Sequence, residues 1–414
     1  MRNQPLTISS WPTAILHADG DGFFASVEQA LNPAYKNKPV VTGHERGMAI
    51  AVSYEAKALG ITRGMLMNQI RRTYPECIIL PGNYEAYMLF AKRMFSIMRR
   101  YTPAVEEYSI DEAFADITGL RRVHNLGYEE IARKIQSDIR KELDIGVSIG
   151  VSLTKSLAKL CSKFRKPNGI TCVKGKYIHI LLQKTPIEKV WGIGPSTSSL
   201  LRKYQCTTAY DFVMKPVSFI NHYLTKRELE IYKELRGEMV FSLDLTKKDN
   251  YQSISKARTF EATKEKSMVF AEMVKNIEEA TAKCRKYKLT AKRVSIFFKT
   301  QQFVTSGHEA KLSRHTASAI EILEVVKVLF DHCYKEGVEY RQTTCVLSEL
   351  TDNNSQQLTI FDSVLRIEQL EKVSGTVDAI NKNMGRGKIH LAASLPARKQ
   401  SNARLAIPMM NIRV

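Results

Sequence analysis

The order of the predicted strands and helices is the feature that most limits the possible folds, because the same order occurs twice. In the first half of the chain, short apolar runs and helical apolar periods follow one another as β-α-β-β-α-β. The predicted elements are a strand over 15–18, a helix over 83–101, strands over 105–108 and 113–117, a helix over 128–143 and a strand over 145–151. This is the order of a ferredoxin-like sheet, here with a helix at 23–31 and an insert at 32–82.

The second occurrence of this order lies in the last third of the chain. Its predicted elements are a strand near 253–260, a helix over 267–287, strands over 293–303 and 310–315, a helix ending near 333 and a strand over 343–347. A helical segment at 174–245 and a polar linker at 246–252 separate the two units. A tail at 351–414 carries one further helix, at about 362–384. These patterns predict an α+β protein of several domains.

Basic residues are concentrated in three stretches of one sign. The chain has 414 residues with a formal net charge of +20. Residues 151–190 contain nine basic residues and one acid, while residues 281–300 and 381–414 contain seven basic residues each and no acid. Separate clusters of one sign indicate several elements that bind one long polyanion, and solubility alone is the alternative explanation.

Several classes of protein are disfavoured by what the sequence contains. No apolar run approaches the roughly 18 residues of a membrane span, and the first residues lack a signal-peptide core. The seven cysteines form no C-x-x-C pair, so we interpret them as core residues rather than zinc ligands or disulfides. We therefore expect a soluble protein of a reducing, intracellular compartment.

Three acidic residues are predicted to converge at one edge of the first sheet. Asp19 ends the first strand, and Asp111 and Glu112 lie in the hairpin between the two central strands. Converging carboxylates favour a hard cation, Mg²⁺ or Mn²⁺, and such a set can hold two ions about 3.5–4 Å apart. The alternative is that these acids are ordinary turn residues.

Five ordered segments resemble the Y family of lesion-bypass DNA polymerases, most closely the DNA polymerase IV type. They are Asp19–Glu28, Asn32–Val40, Ser53–Lys57, Tyr108–Phe114 and Lys166–Gly169. The resemblance continues more weakly to about residue 350. It implies a right-hand polymerase with a ferredoxin-like palm at 1–22 and 83–173 and small fingers at 23–82. It also implies a helix-hairpin-helix thumb at 174–245, a second βαββαβ domain called the little finger at 253–350, and a tail beyond it.

The resemblance also implies roles for individual residues. Asp19, Asp111 and Glu112 match the catalytic metal ligands for two Mg²⁺ ions, for which Mn²⁺ can substitute, with the Gly20 carbonyl as a further ligand. Asp21 matches no ligand, and we interpret it as a cap of the following helix. Phe24 matches the steric gate that excludes a 2′-hydroxyl. The nucleotide-binding positions are Phe23, Phe24, Tyr54, Lys57 and Lys166. Lysine at position 57 departs from the usual arginine, which implies weaker nucleotide binding because lysine lacks a bidentate fork.

Contacts with DNA and with a sliding clamp follow from further matches. Gly192 and Gly194 stand in a segment that resembles a helix-hairpin-helix, where free backbone N–H groups hold a phosphate; an ordinary turn is the alternative. The expected backbone contacts in the little finger are Lys283, Arg285, Lys286, Lys288, Lys292, Arg293 and Lys299. In the tail, Gln357, Leu358, Ile360 and Phe361 resemble the peptide by which bacterial polymerases bind the clamp ring.

The function implied is distributive, low-fidelity, template-directed translesion synthesis without a proofreading exonuclease. The expected partners are primer-template DNA, dNTPs and a bacterial sliding clamp. We expect a monomer associated with a bacterial nucleoid in the cytoplasm, without membrane contact. Two alternatives stay open: a nucleotidyl cyclase, which leaves the thumb motif and basic clusters unexplained, and an inactive DNA-binding scaffold, which has no need for three repelling acids.

Overall fold

A computed structural model of the chain describes residues 6–7, 9–44, 47–246, 251–352, 363–385 and 387–398. The chain divides into two compact units between Thr246 and Lys247. Within the described ranges, no helix is long and apolar enough to cross a membrane. The seven cysteines are free thiols and all but Cys172 are buried, which agrees with their interpretation as core residues.

The first unit contains the following elements in chain order. The strands are β1 (Ile15–Gly20), β2 (Val40–Thr42), β3 (Ala51–Val52), β4 (Ile78–Leu80), β5 (Val105–Glu107), β6 (Glu112–Asp116), β7 (Val147–Ser152) and β8 (Ile170–Cys172). The helices are α1 (Phe23–Leu31), α2 (Tyr54–Ala58), α3 (Met67–Thr73), α4 (Tyr84–Arg99), α5 (Leu120–His124), α6 (Tyr128–Leu143), α7 (Lys155–Phe164), α8 (Ile178–Gln183), α9 (Pro195–Lys203), α10 (Ala209–Val213), α11 (Val217–Tyr223) and α12 (Lys226–Leu235).

The central sheet of the first unit has the order β5-β6-β1-β7-β8. Strand β1 lies between β6 and β7 and is antiparallel to both, as a ferredoxin-like arrangement requires. Helices α4 and α6 pack on this sheet through a continuous core that includes Leu16, Met94 and Ile131. Burying each such side chain contributes roughly 1.5–3 kcal/mol, which fixes the strand that carries the first acid.

Two smaller assemblies complete the first unit. Residues after α1 form the sheet β3-β2-β4 with α2 and α3 beside it, around a core that includes Val41 and Ile70. Helices α8 to α12 share a second core, which includes Leu157 of α7 and Leu201 of α9. Because α7 contributes to this core and also packs on β1 and β7, it joins the helical part of the unit to the central sheet.

The second unit repeats the chain order but not the strand order. Its elements are β9 (Ser253–Thr263), α13 (Lys266–Lys286), β10 (Leu289–Thr300), β11 (Thr305–Thr316), α14 (Ala319–Cys333), β12 (Tyr340–Asp352), α15 (Val364–Met384) and α16 (Leu395–Arg398). The sheet order is β11-β10-β12-β9. The last strand is therefore central here, whereas the corresponding strand of the first unit, β7, pairs with β1 on the side away from the hairpin.

The strands of the second unit are also longer than their apolar patterns predict. Strand β10 begins at Leu289 rather than near 293, and β11 begins at Thr305 rather than near 310. The residues added to β11, 305–309, are all exposed and none is a large apolar residue, so they pair in the sheet without leaving an apolar signal. The residues added to β10, 289–292, are buried or half-buried but alternate too little to mark a strand. The predicted tail helix is confirmed as α15, and its polar ion pairs attach it to this unit.

Candidate active site

Two paired strands, β1 and β6, bring the acidic residues together at one edge of the central sheet. In the strand register Asp19 lies opposite Glu112 on one side and Ser148 on the other. The next residue, Gly20, donates its backbone N–H to the carbonyl oxygen of Asp111 at 2.8 Å. The structure therefore places Asp19, Asp111 and Glu112 side by side, as the predicted topology requires.

Two lysines neutralise two of these acids. The ammonium of Lys166 pairs with Asp19 Oδ1, and the ammonium of Lys159 lies 2.6 Å from Glu112 Oε2. Burial raises the pKa of the Glu112 carboxyl, and the nearby Asp19 and Asp111 carboxylates raise it further, although Lys159 opposes them. The edge of the sheet thus carries three acidic side chains, and the two lysines balance only two of them.

The donor set suits a hard divalent cation. All four candidate donors are oxygens, namely the carboxylates of Asp19, Asp111 and Glu112 and the carbonyl of Gly20, and hard cations such as Mg²⁺ take oxygen ligands. Across the described ranges, no three or more His, Cys, Asp or Glu side chains stand in a ready-made metal cluster. Lys166 and Lys159 instead make the cationic contacts to Asp19 and Glu112.

Asp21 connects several elements of the first unit through its carboxylate, a role that differs from the expected helix cap. Its buried carboxylate accepts hydrogen bonds from Ser148 Oγ at 2.8 Å, from the Asn168 N–H at 2.7 Å and from the Tyr54 hydroxyl at 3.4 Å. The expected helix cap is wrong, because α1 begins after Gly22 and receives no side-chain cap. Asp21 instead joins β1, β7 and the loop after α7, and Ser148 on the neighbouring strand was the one available signal.

Phe24 presents a ring that is supported from behind. It stacks on Tyr87 with ring centres 4.3 Å apart and planes 10° apart, and Tyr84 packs against it edge-on at 5.6 Å. Tyr87 is fully buried and its hydroxyl donates to Glu28 at 2.8 Å. Phe23 is buried under the β1 end, where a Cβ on Gly20 would come within 2.8 Å of its ring. The position of the Phe24 ring is therefore fixed by Tyr87, which is itself fixed by burial and by its hydrogen bond to Glu28.

The remaining nucleotide-binding candidates surround the acidic edge. Tyr54 begins α2, which Ser53 caps, and Lys57 lies with its ammonium 3.8 Å above the Tyr54 ring. Burial lowers the pKa of Lys57, and repulsion from the Lys166 ammonium lowers it further. Burial raises the pKa of Tyr54, and the neighbouring Asp21 carboxylate adds to this. These contacts place Tyr54, Lys57 and Lys166 in one cationic and phenolic group next to Asp19.

The glycine-rich turn before α9 leaves a helix start open. Gly192 has φ +92°, and a Cβ at this position would lie 2.6 Å from Ile231, so only glycine fits. Gly194 precedes α9, Pro195 is its first residue, and no side chain caps it. The helix that follows spans Pro195–Lys203. Its first N–H groups point out of the helix without a capping side chain, as a phosphate site needs.

The basic residues of the second unit differ in how they are engaged. Lys286 and Lys288 are exposed, while Lys283 lies 5.8 Å from the Tyr251 ring centre and Lys299 lies 5.3 Å from that of Phe303. Lys292 donates to the carbonyl oxygen of Ser313 at 2.6 Å. The clamp-peptide residues Gln357, Leu358, Ile360 and Phe361 lie outside the described residues.

The two arginines of this set are held inside the unit. Arg285 donates to both carboxylate oxygens of Asp378, at 2.6 and 2.8 Å, and to the carbonyl of Ala317. Arg293 pairs with Glu309 at 2.6 Å and with Glu349 at 2.7 Å. These intramolecular contacts use the guanidinium groups, so the DNA-binding role of both arginines stays a prediction.

Comparison with known proteins identifies the family. Residues 18–163 match the impB/mucB/samB family, and residues 251–360 match the C-terminal domain of that family. DNA polymerase IV of Streptococcus pyogenes serotype M3 (strain ATCC BAA-595 / MGAS315) is 33% identical over 349 residues, which cover 82% of this chain and 94% of that protein. DNA polymerase IV of serotype M1 is 32% identical over the same coverage. The chain belongs to the Y family of DNA polymerases.

Solved structures agree with this assignment at the level of the fold. A Y-family DNA polymerase chimera, Dbh-Dpo4(243-245)-Dbh, matches with a TM-score of 0.70 and 24% identity over 82% of this chain and all of that one. The insertion ternary complex of Dbh DNA polymerase matches with a TM-score of 0.54 and 23% identity. The predicted multidomain α+β polymerase architecture is confirmed, and this Y-family chain is a DNA-directed DNA polymerase.

Proposed function

We propose that this Y-family polymerase performs template-directed translesion synthesis with low fidelity and low processivity. The observation that supports this most directly is that three acids occupy adjacent backbone positions at the ends of paired strands, with lysines at two of them and the supported Phe24 ring in the helix that follows β1. The same edge thus offers oxygen ligands for cations, a surface for a sugar and positive charge for a triphosphate. A nucleotidyl cyclase would use the first feature but has no use for the turn before α9 or the second unit.

The acidic edge would hold two Mg²⁺ ions, for which Mn²⁺ can substitute, through Asp19, Asp111, Glu112 and the Gly20 carbonyl. When bound, such ions lower the pKa of the primer 3′-hydroxyl and neutralise the triphosphate. The chain's own residues do the positioning. The strand register fixes Asp19 opposite Glu112, and Ser109 Oγ, which donates to Asp111 Oδ1 at 2.6 Å, orients the third carboxylate.

The nucleotide would lie between the Phe24 ring and the group formed by Tyr54, Lys57 and Lys166. Lys166 now pairs with Asp19, and a bound cation would release its ammonium for the triphosphate. Phe24 would exclude a ribose by collision with the 2′-hydroxyl, and Phe23 would support the backbone at this point. The stack on Tyr87 supports this role, because the Phe24 ring can exclude a ribose only if it does not move away from the 2′-hydroxyl.

Contacts with the duplex would be independent of sequence. The open start of α9 after Gly192 and Gly194 would hold one backbone phosphate, and the lysines at 281–300 would follow the backbone further along. We propose that residues 357–361 bind a bacterial sliding clamp, which would compensate for low processivity. The described residues are accounted for by these two units and the tail elements attached to the second, so we assign no proofreading activity to them.

The test is extension of a labelled primer on undamaged and damaged templates with Mg²⁺. We expect extension by the wild type and a loss of at least about 1,000-fold with Asp111→Ala, since a two-metal site cannot form. Glu107→Gln removes an exposed acid from the preceding strand and serves as the matched control, with activity unchanged. Full extension by Asp111→Ala, or none by the wild type, would refute the proposal.

Two further properties complete the proposal. We place the protein in a bacterial cytoplasm at the nucleoid, where its DNA and clamp partners are, and we propose that it acts as a monomer. Co-sedimentation with clamp, compared between the wild type and a Leu358→Ala/Phe361→Ala variant, tests the clamp contact. Equal binding by both proteins would contradict the assignment of residues 357–361.

A further inference from the structure

A buried lysine connects the catalytic acid Glu112 with the turn before α9. The Lys159 side chain is 6% exposed, and its ammonium lies 2.6 Å from Glu112 Oε2. The same ammonium lies 4.5 Å from the ring centre of Tyr108 and 5.3 Å from that of Trp191. One lysine therefore contacts a carboxylate of the acidic edge and two aromatic rings at once.

The two rings restrict where this ammonium can go. Tyr108 and Trp191 pack edge to face with centres 5.5 Å apart and planes at 85°. Phe241 packs on the other side of Trp191 at 5.8 Å. A desolvated ammonium is attracted to the faces of aromatic rings, so this position is favourable for the Lys159 ammonium. Lys166 differs in this respect, because its side chain is 25% exposed and its ammonium lies between two carboxylates, those of Asp19 and Asp21.

We propose that Lys159 is a positioning residue that holds Glu112 in its metal-binding orientation and is itself held by Trp191. The inference rests on the proposed polymerase function and adds to it. Lys159 occupies Oε2 and leaves Oε1 as the oxygen that can face a cation. Trp191 directly precedes Gly192 of the phosphate-binding turn, so the orientation of a catalytic acid depends on the element that would contact DNA.

The effect of Lys159→Met on the Kd for Mn²⁺ distinguishes a positioning role from charge balance alone, because the two roles predict opposite changes. If Lys159 only neutralised Glu112, then Lys159→Met would remove a competing positive charge and tighten cation binding. If Lys159 fixes the carboxylate, then its loss weakens binding, and outer contacts of this kind typically contribute 10- to 100-fold in metal affinity. Mn²⁺ binding to the protein alone, followed by the loss of the free-ion EPR signal, measures this without polymerase activity.

We expect Lys159→Met to raise the Kd for Mn²⁺ about 10-fold or more. Lys155→Met is the matched control: Lys155 lies one helical turn earlier, is equally buried, pairs with Glu106 at 2.5 Å and lies 4.8 Å from the Phe114 ring. It should leave the Kd unchanged. Lys159→Arg keeps the charge but changes the geometry, so it should also weaken binding. An unchanged or lower Kd in Lys159→Met, or an unchanged Kd in Lys159→Arg, would overturn the proposal.

The part played by Trp191 is tested by a double-mutant cycle. Trp191→Leu should raise the Kd for Mn²⁺ when Lys159 is present and should have no further effect in the Lys159→Met background, because the two residues act in sequence. Equal effects in both backgrounds would refute the coupling. Circular dichroism of each variant shows that it is folded. Primer extension by the wild type tests the proposed function independently, so a failure of the Lys159 proposal is distinguishable from a failure of the polymerase proposal.

Discussion

At the scale of single residues, each of three side chains in the site is oriented by a second residue that it stacks on or hydrogen-bonds to. Tyr87 supports Phe24, Ser109 orients Asp111, and the Tyr54 hydroxyl rests on Asp21. Substitution of Phe24, Asp111 or Tyr54 should therefore change chemistry or selectivity. Substitution of the residue that orients one of them should change the geometry of the site. This division allows specific expectations for Phe24 and Lys57, two of the proposed nucleotide-binding positions.

Phe24→Ala should raise the incorporation of ribonucleotides relative to deoxynucleotides by at least about 100-fold, corresponding to about 2.7 kcal/mol of lost exclusion. The physical reason is that alanine removes the ring with which a 2′-hydroxyl would collide. The measurement is the ratio of kcat/KM for dNTP and rNTP in single-nucleotide insertion. Phe24→Tyr keeps the ring and should keep the selectivity. Unchanged sugar discrimination in Phe24→Ala would remove this residue from the gate.

Lys57→Arg should lower the Michaelis constant for the nucleotide about 3- to 10-fold and leave kcat nearly unchanged. An ammonium offers a point charge to a phosphate, whereas a guanidinium offers a fork that donates two parallel hydrogen bonds. Because Lys57 lies above the Tyr54 ring, an arginine can also stack there. Steady-state insertion kinetics with Lys92→Arg as a control give the answer, and a higher Michaelis constant in Lys57→Arg would contradict the interpretation.

At the scale of elements, α7 organises the first unit. Its core residues pack against β1 and β7, and its N-terminal residues bind the chain that leaves α12. Glu234 is fully buried and accepts hydrogen bonds from Ser156 N–H at 3.0 Å, Val240 N–H at 2.8 Å and Phe241 N–H at 2.9 Å. Lys155 donates to the carbonyl of Ser242. The N-terminal residues of α7 and Glu234 of α12 thus together hold residues 240–242.

Glu234→Ala should destabilise the first unit by about 3 kcal/mol, because hydrogen bonds to a charged group contribute about 1.5–3 kcal/mol each and three N–H groups, of which that of Ser156 is buried, lose their acceptor. Urea unfolding, followed by tryptophan fluorescence, reports this unit because Trp11 and Trp191 both lie in it. Glu230→Ala changes a more exposed acid of the same helix and should shift stability by less than about 0.5 kcal/mol. Equal midpoints for the two variants would contradict the role of Glu234.

The sequence predicted the local elements and the acidic edge better than it predicted the long-range pairs. The proximity of Asp19 to the 111–112 hairpin is predictable because the first strand of a ferredoxin-like sheet pairs with the third. The contact between Arg285 and Asp378 spans 93 residues of sequence, and no periodicity indicates it. The strand order of the second unit was equally hidden, because the same succession of elements allows the last strand to lie at an edge or in the centre.

At the scale of the whole molecule, the net charge exceeds the charge that is available to contact DNA phosphates. The excess of +20 counts every lysine and arginine, but part of the basic stretch at 281–300 is engaged in internal ion pairs. Asp378 holds Arg285, and Glu309 and Glu349 hold Arg293. We therefore expect fewer residues to neutralise DNA phosphates than the charge of this stretch suggests.

The salt dependence of DNA binding measures this difference directly. Each neutralised phosphate contributes about 0.9 to the slope of log K against log salt concentration on duplex DNA. Replacing the exposed Lys286 and Lys288 by alanine should reduce the slope by about 2 and weaken binding to all sequences alike. Arg285→Ala removes the same charge per residue from the same stretch of chain but should leave the slope unchanged, because Asp378 already engages that guanidinium. A smaller slope in Arg285→Ala, or an unchanged slope in the double lysine variant, would show that phosphate contacts follow charge alone rather than the ion pairs within the unit.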